Sequence, residues 1–170
     1  MRLWSIMENF FEYGWEESWT YIKTVVDVAR DSILILDKDF RVMAANEAFY
    51  RIFQVEPKDT EKKIVYDLGN GQWSIPALKN LLEDIVPKNS FFKGFEVIRK
   101  FPSIGRKVMI LNARRIYKEN TDVSLSMKQK MSKVFPPIIL LVMEDVTEMI
   151  DIAKKLADHI GKLEREKSAI

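Results

Sequence analysis

The C-terminal end of the chain limits its folding choices most. Ile138–Met143 is an unbroken apolar run of strand length, and it leads through Asp145-Val146-Thr147-Glu148 into a helical pattern that reaches Ile170. Apolar positions there alternate by three and four: Val146, Met149, Ala153, Leu156, Ile160 and Leu163, followed by Lys167 and Ile170. This is the a/d spacing of a two-stranded coiled coil with one lysine in its seam. Asp145 suits an N-cap, and Glu148 completes the pattern of a capping box. A core strand joined directly to a dimer-forming rod suits a device that passes strain to an output, and is unlike the usual construction of an active site.

The 170 residues hold one ordinary domain plus flanking helices, and 47% apolar content is enough for a packed core. A net charge of +2 with mixed signs gives no electrostatic footprint for nucleic acid. The absence of cysteine excludes disulfides, thiolate nucleophiles and thiolate metal sites, and it fits a reducing compartment. Glu8, Glu12, Glu16 and Glu17 interrupt the N-terminus, so no secretory signal is expected, and no stretch approaches a membrane span of roughly 18 apolar residues. The expected location is cytoplasmic.

Residues 1–30 read as an amphipathic helix, with its pattern running from about Trp4 to Arg30. Met7, Phe11, Gly14, Ser18, Tyr21, Val25 and Val28 form one stripe; Trp15, Trp19, Ile22, Val26 and Ala29 form a second beside it. Two stripes imply two partners, here the domain's own sheet and a second subunit. The acidic polar face disfavours a membrane-surface helix.

The compact domain is expected over 31–146, and the signalling helix over 147–170. Ile33–Leu36 and Arg41–Ala45 form a hairpin across Asp37-Lys38-Asp39. Asn46 caps a helix over Glu47–Phe53. Gly69-Asn70-Gly71 marks a tight turn, after which Ser74 and Pro76 open a helix that stops at Pro87. Strands follow at Phe92–Phe101, Lys107–Tyr117 and Pro137–Glu144, with a long exposed loop over Lys118–Lys133. Two strands, a set of short helices and three strands predict an α+β fold, with a five-stranded antiparallel sheet carrying helices on one face.

On the Lys107–Tyr117 strand, Val108, Ile110, Asn112, Arg114 and Ile116 share one face. Arg114 and Asn112 are candidates to orient a small anionic ligand, with a structural ion pair or loop hydrogen bond as the alternative. Phe49, Phe53, Trp73 and Phe95 either line such a cavity or fill it. No catalytic set or metal site emerges. The sole histidine, His159, lies one position off the a/d seam and reads as a solvated flank residue; its surroundings lack the acidic residue and proline of a phosphoacceptor box. Asp37, Asp39, Glu56 and Asp59 fall at turns and read as structural.

The order of elements, the string Ala44-Ala45-Asn46-Glu47-Ala48-Phe49 and the exit Asp145-Val146-Thr147 resemble a PAS sensor domain. Tyr66–Trp73 and Leu111–Ile116 resemble more narrowly the subgroup found ahead of histidine kinase cores in prokaryotic two-component proteins. The resemblance spans about Ala29 to Glu148. It implies a pocket between sheet and helices, a signal exit at Asp145 and Thr147, homodimerisation through both terminal helices, and a histidine kinase core or response regulator as partner. No span after Glu148 is long enough for a kinase transmitter, so the chain itself is expected not to be an enzyme. A haem of the family's usual kind is disfavoured because residues 31–145 lack histidine, and a cysteinyl-flavin is excluded by the missing thiol. The cofactor, if any, is left unknown. Two other readings stay open: a ligand-free dimerisation scaffold, and the sensor part of a transcription regulator.

Overall fold

A computed structural model describes residues 2–88, 91–116 and 136–169, with backbone alone at 2–13, 15 and 85–87. Helix α1 (Arg2–Asp27) precedes β1 (Ser32–Leu36) and β2 (Val42–Ala45). Helices α2 (Glu47–Phe53), α3 (Pro57–Thr60), α4 (Leu68–Gly71) and α5 (Pro76–Lys88) follow, and then β3 (Phe91–Phe101), β4 (Gly105–Ile116), β5 (Ile138–Asp145) and α6 (Thr147–Ser168). The expected lysine-rich loop, Lys118–Lys133, lies outside the described residues.

The strands form one antiparallel sheet in the order β2-β1-β5-β4-β3. This is the α+β architecture expected from the element order. The central position of β5 explains its composition. Ile139, Leu141 and Met143 are buried on its inner face, while on the outer face Ile138 is buried and Leu140 and Val142 are half-buried.

Alternation divides the sheet into two apolar layers. Leu34, Leu36, Met109, Leu111, Leu141 and Met143 point to the inner face, where α2 to α5 supply Phe49, Phe53, Leu68, Trp73, Leu78 and Leu82. Ile33, Ile35, Ala44 and Ile138 point outward against Val26, Trp19, Ile22 and Ala29 of α1 and the turn after it. The second stripe of α1 therefore meets the domain's own sheet. Tyr21, Val25 and Val28 of the first stripe are 67%, 65% and 80% exposed.

Local chemistry places the helical layer. Asn46 in extended backbone accepts the Phe49 N–H and caps α2. Gly69, Asn70 and Gly71 all have positive φ, at 59°, 59° and 80°, a run that glycine and asparagine alone adopt readily. This left-handed turn sets Leu68 and Trp73 into the core on either side of it. Helix α5 begins at Pro76, as its fixed φ favours, and runs one residue beyond Pro87 instead of stopping there.

Candidate functional site

Among the described residues, four places concentrate the side chains that connect elements: the aromatic inner core, the outer face of β4, the junction of β5 with α6, and the junction of α1 with the sheet.

In the inner core, Phe53 of α2, Trp73 after α4 and Phe101 of β3 meet ring to ring, with centroids 5.4 to 5.5 Å apart. Phe49 stacks on Phe53 at 4.7 Å. Beside them lies a half-open cavity of about 190 Å³, rimmed by Asp59, Gln72 and Ser103. That is smaller than the roughly 300–1,000 Å³ of a pocket for a drug-sized ligand. Phe49, Phe53 and Trp73 pack on one another and also form part of the wall of this small cavity. Phe95 is half-buried on β3 and packs against the same core.

The sheet separates Asn112 and Arg114 from those rings, which corrects the expectation of a single ligand-clamping set. Met109, Leu111 and Ala113 face the helices, so the alternate residues face outward. Asn112 Oδ1 accepts the Gly94 N–H at 2.9 Å and supports a bulge in β3 where Gly94 has φ of 73°. Arg114 is exposed, with its guanidinium 6.0 Å from the Phe91 ring centroid. Both side chains border an outer groove of about 170 Å³ floored by Leu140 and Val142. Sequence pattern could not choose the face, since both parities of β4 are largely apolar.

The third place couples β4, β5 and α6. Lys107 Nζ lies 2.6 Å from Asp145 Oδ2, and both side chains are about one-fifth exposed. Asp145 Oδ1 accepts the Thr147 N–H at 3.0 Å and its hydroxyl. Thr147 Oγ1 in turn accepts the Val108 N–H at 2.9 Å, and the Val146 N–H donates to the Val108 carbonyl at 2.9 Å. Arg106 reaches Asp151 one turn further along α6, at 3.5 Å. Burial alone would push the Asp145 carboxyl up. The hydrogen bonds from Lys107 and Thr147 and the Lys107 charge outweigh it and hold the group below the usual carboxylate range.

This geometry replaces the expected capping box. The N-cap position is Val146, without a side-chain cap, while Asp145 reaches forward to Thr147 and sideways to Lys107. Lys107, Val108 and Arg106 were not singled out as site residues. Lys107 sits 38 positions before its carboxylate, so no local pattern could have shown the pair.

A second junction ties α1 to the sheet. The buried Asn46 side chain donates to the carbonyls of Val26 at 2.8 Å and Asp31 at 2.9 Å. Its oxygen accepts the N–H groups of Ile33 at 2.9 Å and Phe49 at 3.1 Å. All four hydrogen-bonding positions of the amide are used. The Asp27 carboxylate adds a bond from the Glu47 N–H at 3.2 Å.

His159 is exposed on α6, away from these places. Among the described residues, no group of histidine, aspartate and glutamate is arranged to hold a metal ion, and no helix is long and apolar enough to cross a membrane.

Comparison with known proteins finds the same fold in solved PAS domains. The sequence profile described as PAS domain matches residues 20–87. The PAS domain of BvgS from Bordetella pertussis superposes with a TM-score of 0.52 at 16% identity, covering 86% of this chain and 98% of that one. The PAS domain of an HTR-like protein from Haloarcula marismortui gives 0.51 at 13% identity, over 76% and 93% of the two chains. A PAS domain from a two-component sensor histidine kinase gives 0.51 at 12% identity, over 76% and 97%. No curated protein matches the sequence.

Proposed function

We propose, from the match of residues 20–87 to the PAS domain profile and the fold shared with solved PAS domains, that the chain acts as a sensory or regulatory module whose output is a change in the C-terminal helix of a homodimer. The observation that carries the reading is the junction Lys107–Asp145–Thr147–Val108. It binds the first turn of α6 to two neighbouring strands, so a shift of β4 against β5 moves the root of the helix. Solved PAS domains of similar fold include one from a two-component sensor histidine kinase, which supports a two-component setting with a kinase core or response regulator as partner. The chain itself supplies no chemistry in this reading. A coupling of about 1–3 kcal/mol between sheet and helix is enough to bias a downstream enzyme roughly 5- to 150-fold.

The test is a fusion of the chain to a histidine kinase reporter carrying Asp145→Ala or Thr147→Ala. Both variants are expected to fold, yet to lose the dependence of kinase output on the state of the sensor. Retention of full regulation in both would refute the reading.

A second reading draws on the ring-to-ring contacts of Phe53, Trp73 and Phe101. A filled interior favours a module that responds to packing or to a protein partner instead of a small ligand. Native mass spectrometry on freshly purified protein separates the two, since a retained small molecule supports a ligand sensor and bare protein supports the packing-driven module.

A further inference from the structure

The two outermost strands of the sheet differ in what lies beyond them. β2 has four residues, and the chain behind it closes its free side. There the Val42 N–H donates to the Lys63 carbonyl at 2.9 Å, the Lys62 N–H donates to the Val42 carbonyl at 2.7 Å, and Arg41 bridges Ile64. β3 has 11 residues and, among the described residues, no strand pairs with its far side. Glu96, Ile98, Arg99 and Lys100 are exposed along it, Ile98 at 54%.

The bonds of β4 show which backbone groups of β3 are free. The Val108 N–H donates to Thr147 Oγ1, and the Val108 carbonyl accepts the Val146 N–H, so both point toward the root of α6. Backbone direction alternates along a strand, so Met109 and Leu111 bond the other way, to their β3 partners Val97 and Phe95. Glu96, Ile98 and Lys100 therefore direct their N–H and carbonyl groups away from β4, into the open edge.

We propose that this edge is an interface with a second copy of the chain, in which two β3 strands pair antiparallel about Ile98 and join two five-stranded sheets into one continuous layer. Charge fixes the register. With Ile98 at the two-fold axis it faces its own copy, and Glu96 faces Lys100 of the partner subunit on each side of the axis. Three residue pairs then exchange N–H···O=C bonds in both directions. Centring on Glu96 or Lys100 sets like charges opposite each other, and centring on Val97 or Arg99 leaves Glu96 and Lys100 unmatched. The segment ends where pairing must stop: the bulge at Gly94 would meet Pro102 of the partner subunit, which has no N–H to give.

The two charges have no use for each other within one chain. They stand about 14 Å apart along the strand, and among the described residues neither has an ion-pair partner. Lys100 instead lies opposite Arg106 on β4, a like-charged pair that a carboxylate from the second copy offsets. An edge guarded against pairing carries charges that repel their own copies. Here their order is self-complementary. The interface uses neither α1 nor α6, so it does not depend on the homodimer proposed above; dimers formed through the helices would be linked by it edge to edge.

Amide exchange followed by NMR on the full chain tests the edge. The N–H groups of Glu96, Ile98 and Lys100 are expected to exchange freely in dilute protein and to become protected together as concentration rises. Because the natural chain contains no cysteine, Ile98→Cys is expected to give a covalent dimer in air, its two copies lying about 5.5 Å apart at Cα. Lys100→Glu is expected to weaken the edge association about tenfold in sedimentation equilibrium, while improving the pairing with Arg106 inside the chain, so the loss does not come from unfolding. Adding Glu96→Lys to that variant is expected to restore association. A self-associating chain whose three amides stay unprotected, or whose Ile98→Cys variant does not cross-link, would overturn the edge interface and leave the helix-mediated homodimer standing. Failure of Glu96→Lys to rescue would overturn the register. A monomeric chain with free exchange at all three amides would overturn the second copy as occupant of the edge.

Discussion

The junctions at the two ends of the domain are built from different chemistry. Where α1 meets the sheet, Asn46 is fully buried and neutral, and its four hydrogen bonds go to backbone groups of α1, β1, α2 and the intervening turn. Where the sheet meets α6, the connection is a charged pair with a threonine relay, about one-fifth open to water. Neutral bonds to fixed backbone resist salt and acid and have no partner to exchange. An ion pair at partial exposure is sensitive to both, and its long lysine arm tolerates movement. The first junction behaves as an anchor and the second as a joint that can shift.

Asn46→Ala should give the largest effect. It removes four hydrogen bonds at once and leaves the Ile33 N–H without its acceptor, although the Val26 carbonyl keeps the Ala29 N–H and the Phe49 N–H keeps the Asn46 carbonyl, and a loss of about 2 to 3 kcal/mol is expected in urea unfolding. A loss below about 1 kcal/mol would show that water or backbone adjustment replaces the amide, and the contrast between the junctions would weaken. Next, Lys107→Met should cost about 1–2 kcal/mol and increase hydrogen exchange in the first turn of α6 more than in α1. Equal exchange at both ends would show that the pair does not hold the helix root.

The acid response comes third. Because the Asp145 carboxyl is held below its ordinary value in the folded protein, its contribution is complete above the unfolded value, near pH 4, and disappears as pH falls through the lower folded value. Asp145→Asn should remove that part of the acid limb while leaving the slope above pH 5 or so unchanged. An unaltered acid limb in the variant would mean the carboxylate gains nothing from Lys107 and Thr147. The smallest effect expected is from 1 M salt, which should lower the stability of the natural protein by a few tenths of a kcal/mol more than that of Lys107→Met, and leave the cost of Asn46→Ala unchanged.

Much of this was legible in the residues. Short apolar runs between turn residues, continuous in β1 and β5, located the five strands to within about two positions, and Asn46 announced α2 because its side chain competes for backbone N–H groups. Glycines at 69 and 71 marked the left-handed turn, since few other residues tolerate that backbone. The faces of β4 were not legible. Val108, Ile110 and Ile116 stand on the outer side and Met109, Leu111 and Ala113 on the inner, so alternation carries no sign when α1 covers part of the sheet's outer face. That ambiguity put Arg114 and Asn112 into a pocket the sheet keeps them out of.

The amino-acid order alone determined the element types, the two-stripe character of α1 and the uninterrupted passage from β5 into a heptad helix, because periodicity and turn chemistry are local properties of the chain. Only the tertiary structure decided which face of β4 meets the aromatic core, that Lys107 serves Asp145, and that one asparagine ties three elements together. Those outcomes depend on groups far apart in sequence becoming neighbours, and strand pairing, not composition, sets which ones do.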